Sequence, residues 1–244
     1  MSDAPLLTIV IAVLDEAENI GPVCAELAPV LSGLPSTELV FVDDGSTDDT
    51  CARLIAARQD VLPCPTRIFS HDRRRGKSAA LRTGIEAARG TWIATMDGDG
   101  QDDPRALVDM MRAALAHTGR PPLVVGVRRK RNDTLSRRLA TRFANGLRQR
   151  LLRDGCPDTG APQKLFPRAD FLRIPQFEGV HRFLPALLGT YGVPLLCVPV
   201  VHRGRLHGQS KYTNFNRALV GIRDLLGVMW LRNRTRLPGA VTEH

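Results

Sequence analysis

The stretch Trp92-Ile93-Ala94-Thr95-Met96-Asp97-Gly98-Asp99-Gly100-Gln101 decides how the chain is read. An apolar run suited to a buried strand ends abruptly in two carboxylates one residue apart. Both can reach one hard cation at the strand end, and Gln101 can add a carbonyl oxygen. Such a donor set suits Mg²⁺ or Mn²⁺, with phosphates and water completing the shell. A cation there neutralises a departing diphosphate. A solvated acidic turn has the same composition, so the motif takes its meaning from its surroundings.

Working outward, short apolar runs alternate with helical patterns. Strands are expected at Leu6–Val13, Glu38–Val42, Arg67–Ser70, Trp92–Met96 and Leu123–Val127. A helix over Glu18–Leu31 follows from the spacing of Ile20, Val23, Leu27 and Leu31. Further helices are expected at about Ser78–Ala88 and from Pro104 to about His117. This alternation predicts an α/β fold with a mixed, mainly parallel sheet flanked by helices. The acidic clusters fall at carboxyl ends of strands, where open α/β sheets bind ligands.

The second cluster is Asp43-Asp44-Gly45-Ser46-Thr47. Asp44 can accept hydrogen bonds from a base or ribose, and Gly45 lets the backbone approach a ligand closely. Ser46, Thr47 or Asp48 can also cap the helix that follows. Arg73-Arg74-Arg75-Gly76-Lys77-Ser78 has the wrong spacing for a Walker A loop, whose first glycine would fall at His71. It reads as a basic loop near the ligand. Later, HRGRLHGQSKY places Arg203, Arg205 and Lys211 around Gly208, a composition suited to clamping phosphate oxygens.

The chain has 244 residues, 43% of them hydrophobic, enough for one substantial core or two small ones. Five scattered cysteines without a C-x-x-C pair argue against structural zinc and a disulfide framework, and fit a reducing cytosol. The acidic start shows no signal-peptide pattern, and no apolar run reaches the about 18 residues of a spanning helix. Arg128–Arg153 holds ten basic residues against Asp133, the whole net charge of +9. Leu135, Leu139, Phe143, Leu147 and Leu151 recur there every four residues among arginines. An amphipathic helix results, suited to an anionic membrane interface or to packing its leucine stripe on the core. Ala218–Leu231 predicts a second amphipathic helix, docked or interfacial. Its length of about 21 Å falls short of the about 30 Å bilayer core. With only 5% aromatics and acidic strand ends, nucleic acid is not an expected partner.

Taken in order, TIVIAVLDEAENI, FVDDGSTDDT, GKSAALRTGIEAARG, MDGDGQDDP, the DTG at Asp158–Gly160 and RLHGQSKY resemble the family 2 glycosyltransferases. The branch most similar is that of the dolichol-phosphate mannosyltransferases. The resemblance covers most of residues 6–212. It implies a GT-A (Rossmann-like) fold, a GDP- or UDP-linked sugar donor, inversion at the anomeric carbon and a polyprenyl phosphate acceptor. It also implies a peripheral position on the cytoplasmic face of the cell membrane. By the same resemblance Glu16 and Asp44 contact the nucleoside, helped by backbone near Ala12, Leu14 and Val42. Asp97, Gly98, Asp99 and Gln101 meet metal and diphosphate, and Arg128, Arg205 and Lys211 grip phosphates. Asp158 is the candidate if a base or an acceptor-positioning group is required. The sequence departs from the family at Ala12 and Leu14, where a proline and an aromatic are usual, and at Asp15, usually asparagine.

Residues 1–212 are therefore expected to form the catalytic domain, with the basic segment 128–153 inside it. Residues 213–244 are expected to form a C-terminal amphipathic helix and basic tail. An oligomer or a separate membrane-protein partner is compatible with this arrangement. Two other readings remain open: a family 2 transferase acting on a soluble saccharide or other glycan, and a silent nucleotide-sugar-binding subunit.

Overall fold

The structure is a computed structural model that describes residues 4–128, 146, 148–204, 214–237 and 242. Seven strands form one sheet: β1 (Leu7–Val13), β2 (Thr37–Asp43), β3 (Thr66–Ser70), β4 (Trp92–Asp97), β5 (Leu123–Arg128), β6 (Lys164–Pro167) and β7 (Leu195–Val200). Their order is β3-β2-β1-β4-β6-β5-β7. β6 runs antiparallel to both β4 and β5, and the remaining pairings are parallel. The helices are α1 (Ala17–Val30), α2 (Thr50–Asp60), α3 (Lys77–Ala87), α4 (Ala106–Ala116), α5 (Arg168–Arg173), α6 (Leu184–Thr190) and α7 (Asn214–Arg234).

The near-continuous burial of β1 and β2 reflects helices on both faces of the sheet. The period-2 pleat sends Leu7, Ile9 and Ile11 to one side, where α1, α2 and α4 bury Ile20, Leu27, Leu54 and Met110. Val10, Val40 and Val42 face the other side, with Leu81 and Ile85 of α3, Phe166, Phe171, Leu187 and Val228. The mixed, mainly parallel sheet expected from the alternation is thus present.

Several local expectations change. α4 begins at Ala106, and Pro104 lies in the turn before it, where Leu107 N–H donates to the Pro104 carbonyl. β6, β7, α5 and α6 had no counterpart in the sequence reading; each is only 4–7 residues long. Leu135, Leu139, Phe143 and Leu147 of the basic helix lie outside the described residues. Of its end, residues 148–152 are helical, and Leu151 is turned away from the core. Leu151 is 39% exposed while Arg148 is only 8% exposed. Arg148 points inward because the Thr159 hydroxyl and the Cys156 carbonyl accept its N–H groups, with the Asp154 carboxylate 3.5 Å away. Leu152, one residue on, fills the core instead. Arg148 therefore does not belong to the cationic face.

α7 is longer than expected and docks along one side. Leu225, Val228, Met229 and Leu231 pack on the core. Asp224 pairs with Arg182 at 3.3 Å, and Arg232 Nε donates to Thr190 Oγ1 at 2.9 Å. Its opposite edge exposes Ile222, Leu226 and Trp230 at four-residue spacing. No described helix is long and apolar enough to cross a membrane.

Candidate active site

β1 pairs with β2 on one side and β4 on the other, so the chain reverses its direction of sheet growth there. Ligands bind at such switch points, beyond the carboxyl ends of the strands. A cleft of about 810 Å³ opens at that place. Ala12, Leu14, Glu16, Asp44, Asp97, Gly98, Asp99, Gln101 and Arg128 line it. Val42 does not: it is fully buried in the core below.

One end of the cleft is built from two turns stitched together. Asp15 holds a left-handed φ of 46°, a conformation that asparagine and aspartate tolerate best. Replacing the family's asparagine by aspartate therefore keeps the backbone. Asp15 N–H donates to Ser46 Oγ and Thr47 N–H donates to Asp15 Oδ1, both at 2.8 Å. Glu16 N–H donates to Thr50 Oγ1 at 2.8 Å. The loop after β1 is thereby fixed against the loop after β2.

Asp44, 3% exposed, organises the basic loop beside it. Its carboxylate accepts N–H bonds from Arg75 and Gly76, each 2.8 Å, and lies 2.7 Å from His71 Nδ1. His71 Nε2 meets Thr83 Oγ1 on α3 at 2.9 Å. Gly45 is required here: with φ 76° its Cβ would sit 2.5 Å from the Arg73 carbonyl carbon.

At the end of β4, Asp97 accepts a hydrogen bond from the Lys77 ammonium, and its N–H donates to Asp102 at 3.1 Å. Asp99 is 7% exposed and accepts Gln101 N–H at 3.1 Å. Gln101 Nε2 donates to the Arg203 carbonyl at 3.2 Å, and Arg203 N–H returns to the Gln101 carbonyl at 2.9 Å. Burial alone would depress the Lys77 ammonium, but Asp97 opposite it, with Asp102 and Asp99, raises it overall. Burial, with the charge of Asp97 adding, pushes Asp102 up. Among the described residues no cluster of three acidic, histidine or cysteine side chains forms a complete metal cage. Two carboxylates and a carboxamide at one strand end do fit a hard cation that substrate phosphates complete.

Beyond the acidic pair lies a cationic wall. Arg128, the last residue of β5, grips Asp158 with two bonds, Nε to Oδ2 at 2.6 Å and a terminal nitrogen to Oδ1 at 2.7 Å. Burial would lower the guanidinium; the Asp158 hydrogen bond and charge raise it overall. That grip occupies both Asp158 oxygens and makes the residue an anchor for Arg128 rather than a ready base. Lys164 and His181 also line the cleft, and Ser78 Oγ sits 2.8 Å from His181 Nδ1. Arg205 and Lys211 lie outside the described residues. Lys164 and His181 were missed by the sequence reading, which placed Lys77 in a basic loop near the ligand without giving it a role. Lys77 stood inside a rejected phosphate-loop pattern. Lys164 left one signal, a lone charge opening the apolar run Lys164-Leu165-Phe166.

The chain matches glycosyl transferase family 2 over residues 8–174. It is 34% identical over 240 residues to a dodecaprenyl-phosphate galacturonate synthase of Rhizobium johnstonii, covering 96% of this chain and 69% of that one. An undecaprenyl-phosphate 4-deoxy-4-formamido-L-arabinose transferase of Sodalis glossinidius is 28% identical, covering 85% and 63%. The chain thus spans about two thirds of the length of these curated relatives. A glucosyl-3-phosphoglycerate synthase from Mycobacterium tuberculosis, solved with Mg²⁺ and uridine diphosphate, superposes with a TM-score of 0.69 at 20% identity. The superposition covers 95% of this chain and 80% of that one. A mannosyltransferase from Pyrobaculum calidifontis, solved with GDP-mannose and Mn²⁺, gives 0.66 at 20% identity over 97% and 67%. The sheet is therefore that of GT-A glycosyltransferases, and with strand ends, acidic pair and sequence in agreement, this chain belongs to glycosyl transferase family 2.

Proposed function

We propose that the protein moves a sugar, with inversion, from a GDP- or UDP-linked donor to a polyprenyl phosphate. The observation that carries this is the make-up of the cleft. An acidic pair faces a wall of cations, and Asp158, the candidate base, is bound on both oxygens by Arg128. A phosphate monoester is already anionic at neutral pH, so its oxygen attacks without surrendering a proton. Such a reaction needs two anions brought together more than it needs a base. The acceptor oxygen forms a bond to the anomeric carbon as the bond to the donor diphosphate breaks, and the diphosphate leaves with the electron pair. The names of the curated relatives, both polyprenyl-phosphate sugar transferases, support the same acceptor.

Asp97, Asp99 and Gln101 would hold a Mg²⁺ or Mn²⁺ ion, which supplies charge neutralisation for the departing diphosphate. Glu16, Asp44 and the backbone at Ala12 and Leu14 receive the nucleoside, and Gly98 keeps the acidic turn close to β1. Arg128, with Arg205 and Lys211, receives phosphates. The catalytic unit runs over 1–212, and 213–244 is the membrane-facing appendage. Exposed Ile222, Leu226 and Trp230, with Arg223 and Arg234 on the same helix, support docking on an anionic lipid surface at the cytoplasmic face.

The test is transfer of radiolabelled sugar from a panel of GDP- and UDP-sugars to undecaprenyl phosphate in detergent, for wild type and Asp99→Ala. Labelled lipid that requires both Mg²⁺ or Mn²⁺ and Asp99 establishes the reaction. Metal-dependent nucleotide binding without labelled lipid from any donor defeats it.

A further inference from the structure

Lys164 stands on β6, the reversed strand wedged between β4 and β5, opposite Thr95 on one side and Val125 on the other. It is 2% exposed and yet lines the cleft. Its ammonium donates to the Ala161 carbonyl. Lys77 has Asp97 and Arg128 has Asp158, but among the described residues Lys164 has no ion-pair partner. Burial pushes the ammonium down to about 8, and the charge of Lys77 adds to this, against Cys156, Asp158 and Asp97. A buried ammonium without a counter-ion is unfavourable on its own, and becomes favourable when an anion arrives beside it.

The strand order gives that anion a position in the cleft. Across the cleft the functional groups follow the sheet: Asp44 from β2, Glu16 after β1, Asp97 on β4, Lys164 on β6, Arg128 on β5. Neighbouring strands lie about 4.8 Å apart. Lys164 is therefore one strand beyond the acidic pair, on the side away from the nucleoside end. The donor diphosphate belongs with Asp97, Asp99 and Lys77. An attacking group must approach the anomeric carbon from the opposite side, between that pair and Arg128. Lys164 and Arg128 also flank one short segment: the Ala161 carbonyl accepts from Lys164, and an Arg128 terminal nitrogen would lie 3.5 Å from a Cβ at Gly160.

We propose that Lys164 is a binding residue for the acceptor's phosphate monoester, the missing counter-ion of this buried ammonium. The proposal rests on the functional reading above. It adds that acceptor recognition is built into the sheet itself, in addition to the arginines at its rim.

The experiment compares wild type with Lys164→Met and Lys164→Arg, using whichever sugar nucleotide wild type accepts. Undecaprenyl phosphate is one acceptor arm and 3-phosphoglycerate, a soluble phosphate monoester, is the other; the active arm identifies the source of the phosphate. For Lys164→Met, kcat/KM for that acceptor falls on the order of tenfold or more, as for a lost charge-assisted contact. The Kd of the metal–nucleotide complex stays within about twofold, because that contact lies elsewhere. The melting temperature does not fall, since an unpaired buried charge has been removed, and Lys164→Arg recovers part of the acceptor term. Unchanged acceptor kinetics, or an equal loss of nucleotide affinity, overturns the proposal. If wild type uses neither acceptor, the functional reading fails. Calorimetric titration with inorganic phosphate, in the presence of metal and nucleoside diphosphate, then decides Lys164 separately. Phosphate binding lost in Lys164→Met upholds it, and equal binding in both proteins overturns it. Should Lys164→Met not fold, Lys164→Gln takes its place in every arm.

Discussion

The ammonium of Lys77, at the start of α3, donates a hydrogen bond to Asp97 at the end of β4. The proposed metal would be held at this same carboxylate. Lys77 and a divalent cation would therefore compete for Asp97 until a diphosphate engaged both. Neighbouring carboxylates raise the Lys77 ammonium overall, so it stays charged throughout the neutral range. We expect Lys77→Met to bind Mn²⁺ more tightly than wild type in the absence of nucleotide, by about threefold to tenfold. Turnover should nevertheless fall by about 100-fold, because a cation at the leaving diphosphate is gone. Mn²⁺ titration followed by electron paramagnetic resonance, beside a turnover assay, checks both. Weaker Mn²⁺ binding in the variant would show that Lys77 does not compete for the site.

The bidentate Arg128–Asp158 pair makes a second prediction, because its two members are 11% and 12% exposed. Removing one partner of a buried pair costs about 3–5 kcal/mol. Asp158→Asn should lower the melting temperature on the order of 10 °C, given about 2–4 °C per kcal/mol in a chain of this size. If Asp158 anchors Arg128, its activity loss and that of Arg128→Met are strongly non-additive in the double variant. Independent, additive losses, with an acid limb in the wild-type rate profile that disappears in Asp158→Asn, would assign Asp158 as a base instead.

Much of this architecture was legible in the sequence because β1, β2, β4 and β5 are buried apolar runs that end in polar clusters. Asp97, Asp99 and Asp44 arrive together because each closes a parallel strand, which is a one-dimensional signal. Lys164 could not be found that way. It opens β6, only four residues long, and its position depends on that strand reversing between β4 and β5. Arg148 misled for the opposite reason. Its place in an arginine-rich stretch suggested solvent, whereas the turn carrying Asp154, Cys156 and Thr159 folds back to satisfy its guanidinium. No helical period encodes that contact.

Gly98 makes a prediction about space. A Cβ there would lie 2.4 Å from Val13 Cγ1, so the acidic turn depends on close approach of its backbone to the end of β1. Gly98→Ala should push Asp97 and Asp99 away from each other's ligand position. Metal-dependent nucleotide affinity should weaken by about tenfold or more. Val13→Ala in the same chain removes the obstructing methyl and should restore part of that affinity. Calorimetric titration of nucleoside diphosphate with Mn²⁺ checks both variants. Failure of the double variant to recover would place the cost in contacts other than the one with Val13.

His181 predicts how stability depends on pH. Burial first, then the charges of Lys77, Lys164 and Arg182, hold its imidazole well below the usual histidine range. The folded protein keeps this ring neutral while the unfolded chain takes up a proton below about pH 6.5. Between the two values the unfolded state binds more protons, so stability rises with pH and is lost on acidification. At pH 5 the loss is at most about 2 kcal/mol, the limit set by the unfolded value alone, or up to about 4–8 °C in melting temperature. Carboxylates titrate in the same region, so the decisive quantity is the difference from His181→Gln, whose amide can still meet Ser78. The variant should melt with a shallower dependence between pH 7 and pH 5, and its disadvantage should shrink as the pH falls. Parallel curves for the two proteins would mean that His181 takes up its proton at the same pH folded and unfolded, so that burial does not hold the ring neutral. Below about pH 6.5 its ring would then be another cation of the cleft wall rather than a neutral partner of Ser78.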